Sequence, residues 1–142
     1  MAKRETADLV VVGAGTVGGW ASWFAATGGA DRVVVLERGL AGQGASSRAA
    51  GVVRQQGGTP ATVELGRWSV DFYRGQQAVL GTDSGFRELG YVILAITAAE
   101  ERAGRTRVAM QRETGLDVRW VDVGQARRLD PTLAAGGHRG GS

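Results

Sequence analysis

The stretch Asp8-Leu-Val-Val-Val-Gly-Ala-Gly-Thr-Val-Gly18 constrains the fold of this chain more than any other. Leu9 to Val12 is a short apolar run rich in β-branched residues, which suits a strand buried on both faces of a parallel sheet. Gly13, Gly15 and Gly18 follow with the spacing G-x-G-x-x-G, and an apolar helical pattern begins after them with Ala21, Phe24 and Ala25. Each glycine in such a turn has a mechanical reason. The first makes the tight turn, the second admits a pyrophosphate against the backbone, and the third lets helix and strand pack closely. The phosphates would meet the turn, with Thr16 and Val17, at the positive end of the helix dipole.

The spacing alone carries little weight, because 24 of the 142 residues are glycine. That abundance yields on the order of 0.7 chance matches to the motif. Its context is what selects it. The match lies directly between a strand-like and a helix-like run, and a second run, Val33-Val-Val-Leu36, ends in Glu37. Glu37 follows Gly18 by 19 residues (37 − 18), close to the spacing of about 20 expected for an acid that binds the ribose. A carboxylate there disfavours a 2′-phosphate, and hence NADP.

A length of 142 residues with 43% apolar side chains suits one domain with a moderate core. The net charge is +3, with 17 Lys and Arg against 14 acids. These cations are scattered without an aromatic-basic stripe, which argues against nucleic-acid binding. The absence of cysteine excludes disulfides, thiol catalysis and a cysteine-linked cofactor within these residues, and suits a reducing compartment. Met1-Ala-Lys-Arg4 has the charge of a leader's start, but the apolar run behind it is too short and is interrupted by Asp8 and Gly13. No run approaches the ~18 apolar residues of a membrane helix. A cytoplasmic protein with no integral membrane segment and no metal site is therefore expected.

The pattern predicts strands near 8–13 and 32–37 around a helix at 16–27, stopped by Gly28-Gly29. Trp20, Trp23 and Phe24 give that helix unusual bulk, suited to packing against a sheet or subunit. After Glu37 comes a loop of small and hydroxyl residues. Thr59-Pro60 then opens a helix at 60–80, with Gly81 as its stop. The grammar changes near 82–86. Residues 86–96 read as two short strands around Gly90, and Thr97 with Glu100 is a capping box for a charged helix at 98–113, closed by Gly115. Val118–Val121 reads as a strand, and Asp122 with Gln125 caps a last short helix before Pro131. The tail, Gly136–Ser142, shows no evident structure. Its His138, the single histidine, reads as a solvated residue rather than a catalytic base.

Three segments together resemble the FAD-dependent oxidoreductases of the D-amino-acid-oxidase and sarcosine-oxidase type. The first is Val10–Gly18 with Val33-Val-Val-Leu-Glu-Arg-Gly39. The second is Gly44-Ala-Ser-Ser-Arg-Ala-Ala-Gly-Val-Val-Arg54. The third is Phe86-Arg-Glu-Leu-Gly-Tyr-Val-Ile-Leu-Ala95 with Leu129-Asp-Pro-Thr-Leu133. The second is the most specific, since NAD-dependent dehydrogenases lack such a stretch after the acid. The resemblance implies an α/β fold: a Rossmann-type βαβ FAD-binding half at 1–82, then the start of an α+β substrate domain at 83–142, incomplete in this chain. It assigns Gly13, Gly15 and Gly18 to the FAD pyrophosphate, Glu37 to the adenosine ribose and Arg38 to the adenine edge. Ser46, Ser47, Arg48 and Gly51 fall along the pyrophosphate and flavin side. Serine hydroxyls and a guanidinium suit those oxygens, although local turn bonding is the alternative for the serines.

Some relatives have a histidine at the Arg48 position that bonds covalently to the flavin, which Arg48 cannot do. Arg54 falls where sarcosine-oxidase-like members grip the substrate carboxylate, and a surface arginine is the alternative. Tyr91 is a weaker candidate for lining the pocket, against a half-buried strand aromatic. The family's chains run much further, so an N-terminal fragment without turnover is expected. The implied activity is oxidation of the C–N bond of a small amino acid or secondary amine such as sarcosine, proline or glycine. Hydride passes from the α-carbon to the flavin, and the resulting imine is hydrolysed. The alternatives are an NAD-dependent dehydrogenase, or a non-catalytic cofactor-binding subunit or remnant acting with partner subunits.

Overall fold

A computed structural model describes residues 5–134 and 136–142; the Met1–Arg4 stretch weighed above as a leader lies outside them. By contacts the chain divides into two compact units, Met1–Val52 and Val53–Ser142.

The first unit is a βαβ element. Strands β1 (Leu9–Val12) and β2 (Val33–Leu36) are parallel, in the register Leu9↔Val33 to Val12↔Leu36. Helix α1 (Thr16–Thr27) connects them and packs on both. It ends as the sequence predicts: Gly28 donates to the Phe24 carbonyl at 2.8 Å, and Gly29 takes φ +103°. Trp20, Trp23 and Phe24 cluster edge to face along it, with Trp23 and Phe24 centroids 4.7 Å apart. Burial of β1 on both faces, expected from its composition, is not found: Val12 is 84% exposed and Val10 51%. The sheet has two strands and α1 is the one helix of this unit, so residues such as Val10 and Val12 have little against them within it.

The second unit is built on helices α2 (Pro60–Leu80) and α3 (Ala98–Glu113). Pro60 occupies the first helical position, and Thr59 and Thr62 satisfy each other's backbone N–H groups reciprocally. Thr97 and Glu100 make the corresponding box at α3, where Glu100 Oε2 also accepts from the Ile96 N–H. Asp122 and Gln125 do the same for α4 (Val123–Leu129). The core joins Val63 of α2 to Val108 of α3, Leu116 and Val118.

Two strands were predicted around Gly90, but only β3 (Leu94–Ala95) forms. A strand needs a ladder partner, and among the described residues only 94–95 finds a two-residue one, in β4 (Gly140–Gly141). The end of the glycine tail read as structureless, Gly140–Ser142, is therefore paired and buried, while Gly136 and Gly137 are exposed. A Cβ on Gly141 would stand 2.8 Å from the Ile93 carbonyl oxygen, so glycine is what permits the approach. His138 is half-buried, with an Nε2 that has neither solvent nor a partner, and so is not the solvated residue expected. The predicted strand 118–121 reduces to a single bridge, Val121↔Gly141.

Division of the chain by packing falls 30 residues before the change of grammar at 82 (82 − 52). The reason is physical: α2 places Val63, fully buried, in the same core as α3. No helix among the described residues is long and apolar enough to cross a membrane.

Candidate cofactor-binding site

All the candidate cofactor-binding residues lie in the first unit, and Gly13–Gly18, Glu37 and Ser46 meet at the C-terminal ends of β1 and β2. Gly13 follows β1 with φ +102°, a conformation that L side chains rarely adopt, and its N–H continues the sheet by donating to the Leu36 carbonyl at 2.7 Å. A Cβ on Gly18 would collide with the Gly13 carbonyl oxygen and lie 3.2 Å from Val11 Cγ1. This is the close helix–strand approach that the third glycine was expected to allow. Gly15 differs: a Cβ there would meet only Ser46 Oγ, at 3.0 Å. The space over Gly15 is thus bounded by a side-chain hydroxyl rather than by backbone.

Glu37, at the end of β2, reaches back to the glycine turn. Its Oε2 accepts from the Ala14 N–H at 2.8 Å and its Oε1 from the Gly39 N–H at 2.9 Å. These two backbone donors, Ala14 first, hold its carboxyl below the usual range, so it is ionised at neutral pH. A carboxylate has about four lone-pair positions. Two remain for hydroxyl donors such as those of a ribose.

The loop after Glu37 folds back on the same turn. Gly42 donates to the Ala14 carbonyl at 2.8 Å, and Ser46 Oγ accepts from the Thr16 N–H at 2.8 Å. Ser46 opens a 3-10 turn, Ser46–Arg48, and supplies α1 with a capping oxygen that its N-cap, Gly15, cannot provide. Ser47 is engaged locally, its hydroxyl donating to the Gly44 carbonyl at 3.2 Å. Arg38, Arg48 and Gly51 are exposed, and Gly51 takes φ +70°. Val17 is 84% exposed, and the first turn of α1 holds no acidic residue. The helix start thus has no acid of its own, and Glu37 meets the turn just before it, at the Ala14 N–H.

FAD fits this donor set. The space over Gly15 is bounded only by the Ser46 hydroxyl, the first turn of α1 has no acid, and the Glu37 carboxylate on the Ala14 N–H keeps lone pairs for the hydroxyls of a sugar.

Arg54 and Tyr91 belong to the second unit. Arg54 is exposed, and its backbone runs against α2, where a Cβ on Gly66 would stand 2.8 Å from the Arg54 carbonyl oxygen. Tyr91 Oη accepts from the Gln56 N–H at 3.3 Å. Sequence reasoning missed Gln111 of α3, fully buried, whose Nε2 donates to the Gly57 carbonyl at 2.8 Å. Its signal was a polar residue on the buried face that also holds Gly104 and Val108. The second unit also carries a cleft of about 440 Å³ lined by Tyr73, Phe86 and four charged groups. Arg74 is neutralised there by Glu88 and Asp71, and Arg87 by Asp83, so the cleft presents no unpaired charge to a ligand.

A family model described as FAD dependent oxidoreductase matches residues 8–142. The chain is 29% identical over 133 residues to a 4-methylaminobutanoate oxidase (formaldehyde-forming) of Paenarthrobacter nicotinovorans, covering 92% of this chain and 16% of that protein. It is 30% identical over 135 residues to a glycine oxidase of Geobacillus kaustophilus, covering 90% and 36%. The crystal structure of glycine oxidase from Geobacillus kaustophilus superposes with a TM-score of 0.80 over 95% of this chain and 38% of that one. That of L-proline dehydrogenase from P. horikoshii does so with a TM-score of 0.84 over 96% and 36%, at 24% identity, a likeness of fold. The chain thus spans little more than a third of these proteins at most.

Proposed function

Since the chain belongs to the DAO family of FAD dependent oxidoreductases, we propose that the complete protein oxidises the C–N bond of a small amino acid or secondary amine, of the glycine, sarcosine or proline kind. The observation that carries the reading is the clasp of three segments on one turn: Gly13–Gly18, the Glu37 carboxylate on Ala14, and the Ser46 hydroxyl on Thr16. A flavin adenine dinucleotide needs a bare backbone for its diphosphate, an acid for its ribose and polar cover from a loop beyond the acid. An NAD site needs only the first two.

In this reading Gly13, Gly15, Thr16, Val17 and Gly18 bind the diphosphate, and Glu37 and Arg38 orient the adenosine. Ser46, Ser47, Arg48 and Gly51 line the path toward the flavin. Arg54 receives the substrate carboxylate through its fork of N–H donors. When bound, FAD supplies the electrophilic centre that takes up hydride. Residues 1–82 are assigned to the FAD-binding domain and 83–142 to the start of the substrate domain, a division by ligand rather than by packing. A cytoplasmic location accords with the cysteine-free sequence.

The test is the purified complete protein. The expected result is a yellow protein that releases FAD on denaturation and oxidises glycine, sarcosine or proline without added nicotinamide. A colourless protein that turns over only with NAD would replace this reading with that of a nicotinamide-dependent dehydrogenase.

A further inference from the structure

Residues 54–57 are a coil without a ladder of their own. Among the described residues, their backbone makes one bond to other backbone, from the Gly57 N–H to the Gln55 carbonyl at 2.7 Å. Everything else that fixes them comes from a distance in the chain. On the α2 side, a Cβ on Gly66 would stand 2.8 Å from the Arg54 carbonyl oxygen and 3.0 Å from Gln55 Cα, and a Cβ on Gly57 would collide with Thr62. The Gln56 N–H donates to Tyr91 Oη at 3.3 Å, and Ser142 Oγ donates to Gln56 Oε1 at 3.4 Å. The shortest of these bonds comes from α3, where Gln111 Nε2 donates to the Gly57 carbonyl at 2.8 Å across 54 residues of sequence. Gln111 is fully buried, and its helix is fastened to α2 through the Val63–Val108 core, so the donor is rigidly placed.

Stability alone does not account for a glutamine at this place. Its Oε1 is buried and has no hydrogen-bond partner among the described residues, which carries a desolvation cost. Gln111 therefore leaves one acceptor in the core unsatisfied while it satisfies another, the Gly57 carbonyl. Gly57 is only half-buried, and a coil free to shift could turn that carbonyl to water. What the bond secures is the position of the coil rather than a complete count of hydrogen bonds. Arg54 begins this coil, and its side chain is exposed and long, so where its fork of donors stands depends on where its main chain is held. We propose that Gln111 is a positioning residue for the substrate: by holding the Gly57 carbonyl it fixes residues 54–57, and through them the Arg54 guanidinium. The proposal rests on the substrate-binding reading of Arg54 given above. Gln111 itself touches no substrate and takes no part in bond cleavage.

The experiment is a double-mutant cycle on the complete protein, with Q111M, R54A and the two combined. Methionine keeps the length of the buried side chain and removes its donor. KM and kcat are measured for an amino acid and for the amine of the same skeleton without its carboxyl, beside flavin content. In Q111M the KM for the amino acid should rise about tenfold, that for the amine should stay within about twofold, and flavin content should not change. In the R54A background the same substitution should add less than about twofold, because a residue that acts through Arg54 has nothing left to position. A purely structural glutamine would lower activity on both substrates alike and would add its full effect to R54A; either result overturns the proposal, as does an unchanged KM in Q111M. Q111N, which keeps an amide in the core but shortens its reach, repeats the cycle should Q111M not fold. If R54A raises the KM for the amino acid and Q111M does not, the positioning role fails and the proposed function stands. If R54A leaves that KM unchanged, the substrate role of Arg54 itself is refuted, and the positioning role with it.

Discussion

The Glu37 carboxylate is bonded across the strand ends to the backbone N–H of Ala14, at 2.8 Å. With the Gly39 N–H on its other oxygen, the folded carboxyl titrates below its ordinary value of 4.5. The contribution of this carboxylate to stability is therefore complete above about pH 4.5 and is lost as pH falls through the lower folded value. Glu37→Gln should lower the melting temperature most at neutral pH and converge with the wild type in acid, so that the acid limb of its stability profile is flatter. In the complete protein it should also reduce bound FAD, measured as the ratio of flavin to protein absorbance.

The second and third glycines of the turn should separate structure from binding. Gly18→Ala puts a methyl into the Gly13 carbonyl, a backbone atom that cannot swing aside, so stability should fall by at least the ~1–3 kcal/mol usual for overpacking. Gly15→Ala meets only the end of the Ser46 side chain at 3.0 Å and should leave the melting temperature nearly unchanged. Both should cost FAD, the first through the fold and the second through the lost approach of backbone to diphosphate. Thermal melts with flavin content distinguish them.

Local signals in the sequence were read well where one residue decides the outcome. Thr59-Pro60, Thr97 with Glu100 and Asp122 with Gln125 all cap the helices they were expected to cap, because a cap depends on neighbours three residues away. The turn at Gly13 and the place of Glu37 just after β2 were legible for a similar reason, since the βαβ spacing fixes which strand end meets which loop; the bond from the Ala14 N–H to Glu37 was not. Non-local pairings were not. Nothing in Gly140-Gly141 says that it will lie beside Leu94-Ala95, since a glycine strand has no side-chain pattern, and its partner is more than forty residues away. The packing division at Val52 follows a different rule from the boundary read near 82. A change in strand and helix grammar marks where the topology changes, whereas a packing unit follows the core, and Val63 reaches forward to Val108. Gln111 and Arg107 read as two more polar residues of a charged helix, and only burial distinguishes them.

Gln111 should be among the most sensitive polar positions in the second unit. It is fully buried and satisfies the Gly57 carbonyl through Nε2. Gln111→Ala removes that donor and opens a void, so a loss of at least about 1–3 kcal/mol from the unsatisfied acceptor is expected. Gln111→Glu should be worse near neutral pH, because it replaces a donor with an acceptor-only charge facing a carbonyl, and should recover part of the loss as pH falls and the carboxyl protonates. Chemical denaturation of both variants at two pH values checks the direction.

Ser46 offers the sharpest separation between what the fold requires and what the cofactor requires. Its hydroxyl caps the Thr16 N–H from thirty residues downstream, at the end of α1 that the diphosphate would occupy. Ser46→Ala removes an acceptor from a helix N-terminus, a loss of about 0.5–2 kcal/mol, and Ser46→Thr should restore most of it. Ser46→Asp keeps the acceptor and adds a negative charge at the positive end of the dipole, worth about 0.3–1 kcal/mol more, so the protein without cofactor should melt no lower than the wild type. The same charge would stand against the phosphates. If that helix end holds the diphosphate, Ser46→Asp should purify folded but colourless, with FAD affinity reduced more than in Ser46→Ala and partly recovered at high ionic strength. Undiminished flavin content in Ser46→Asp would remove the diphosphate from this end of α1.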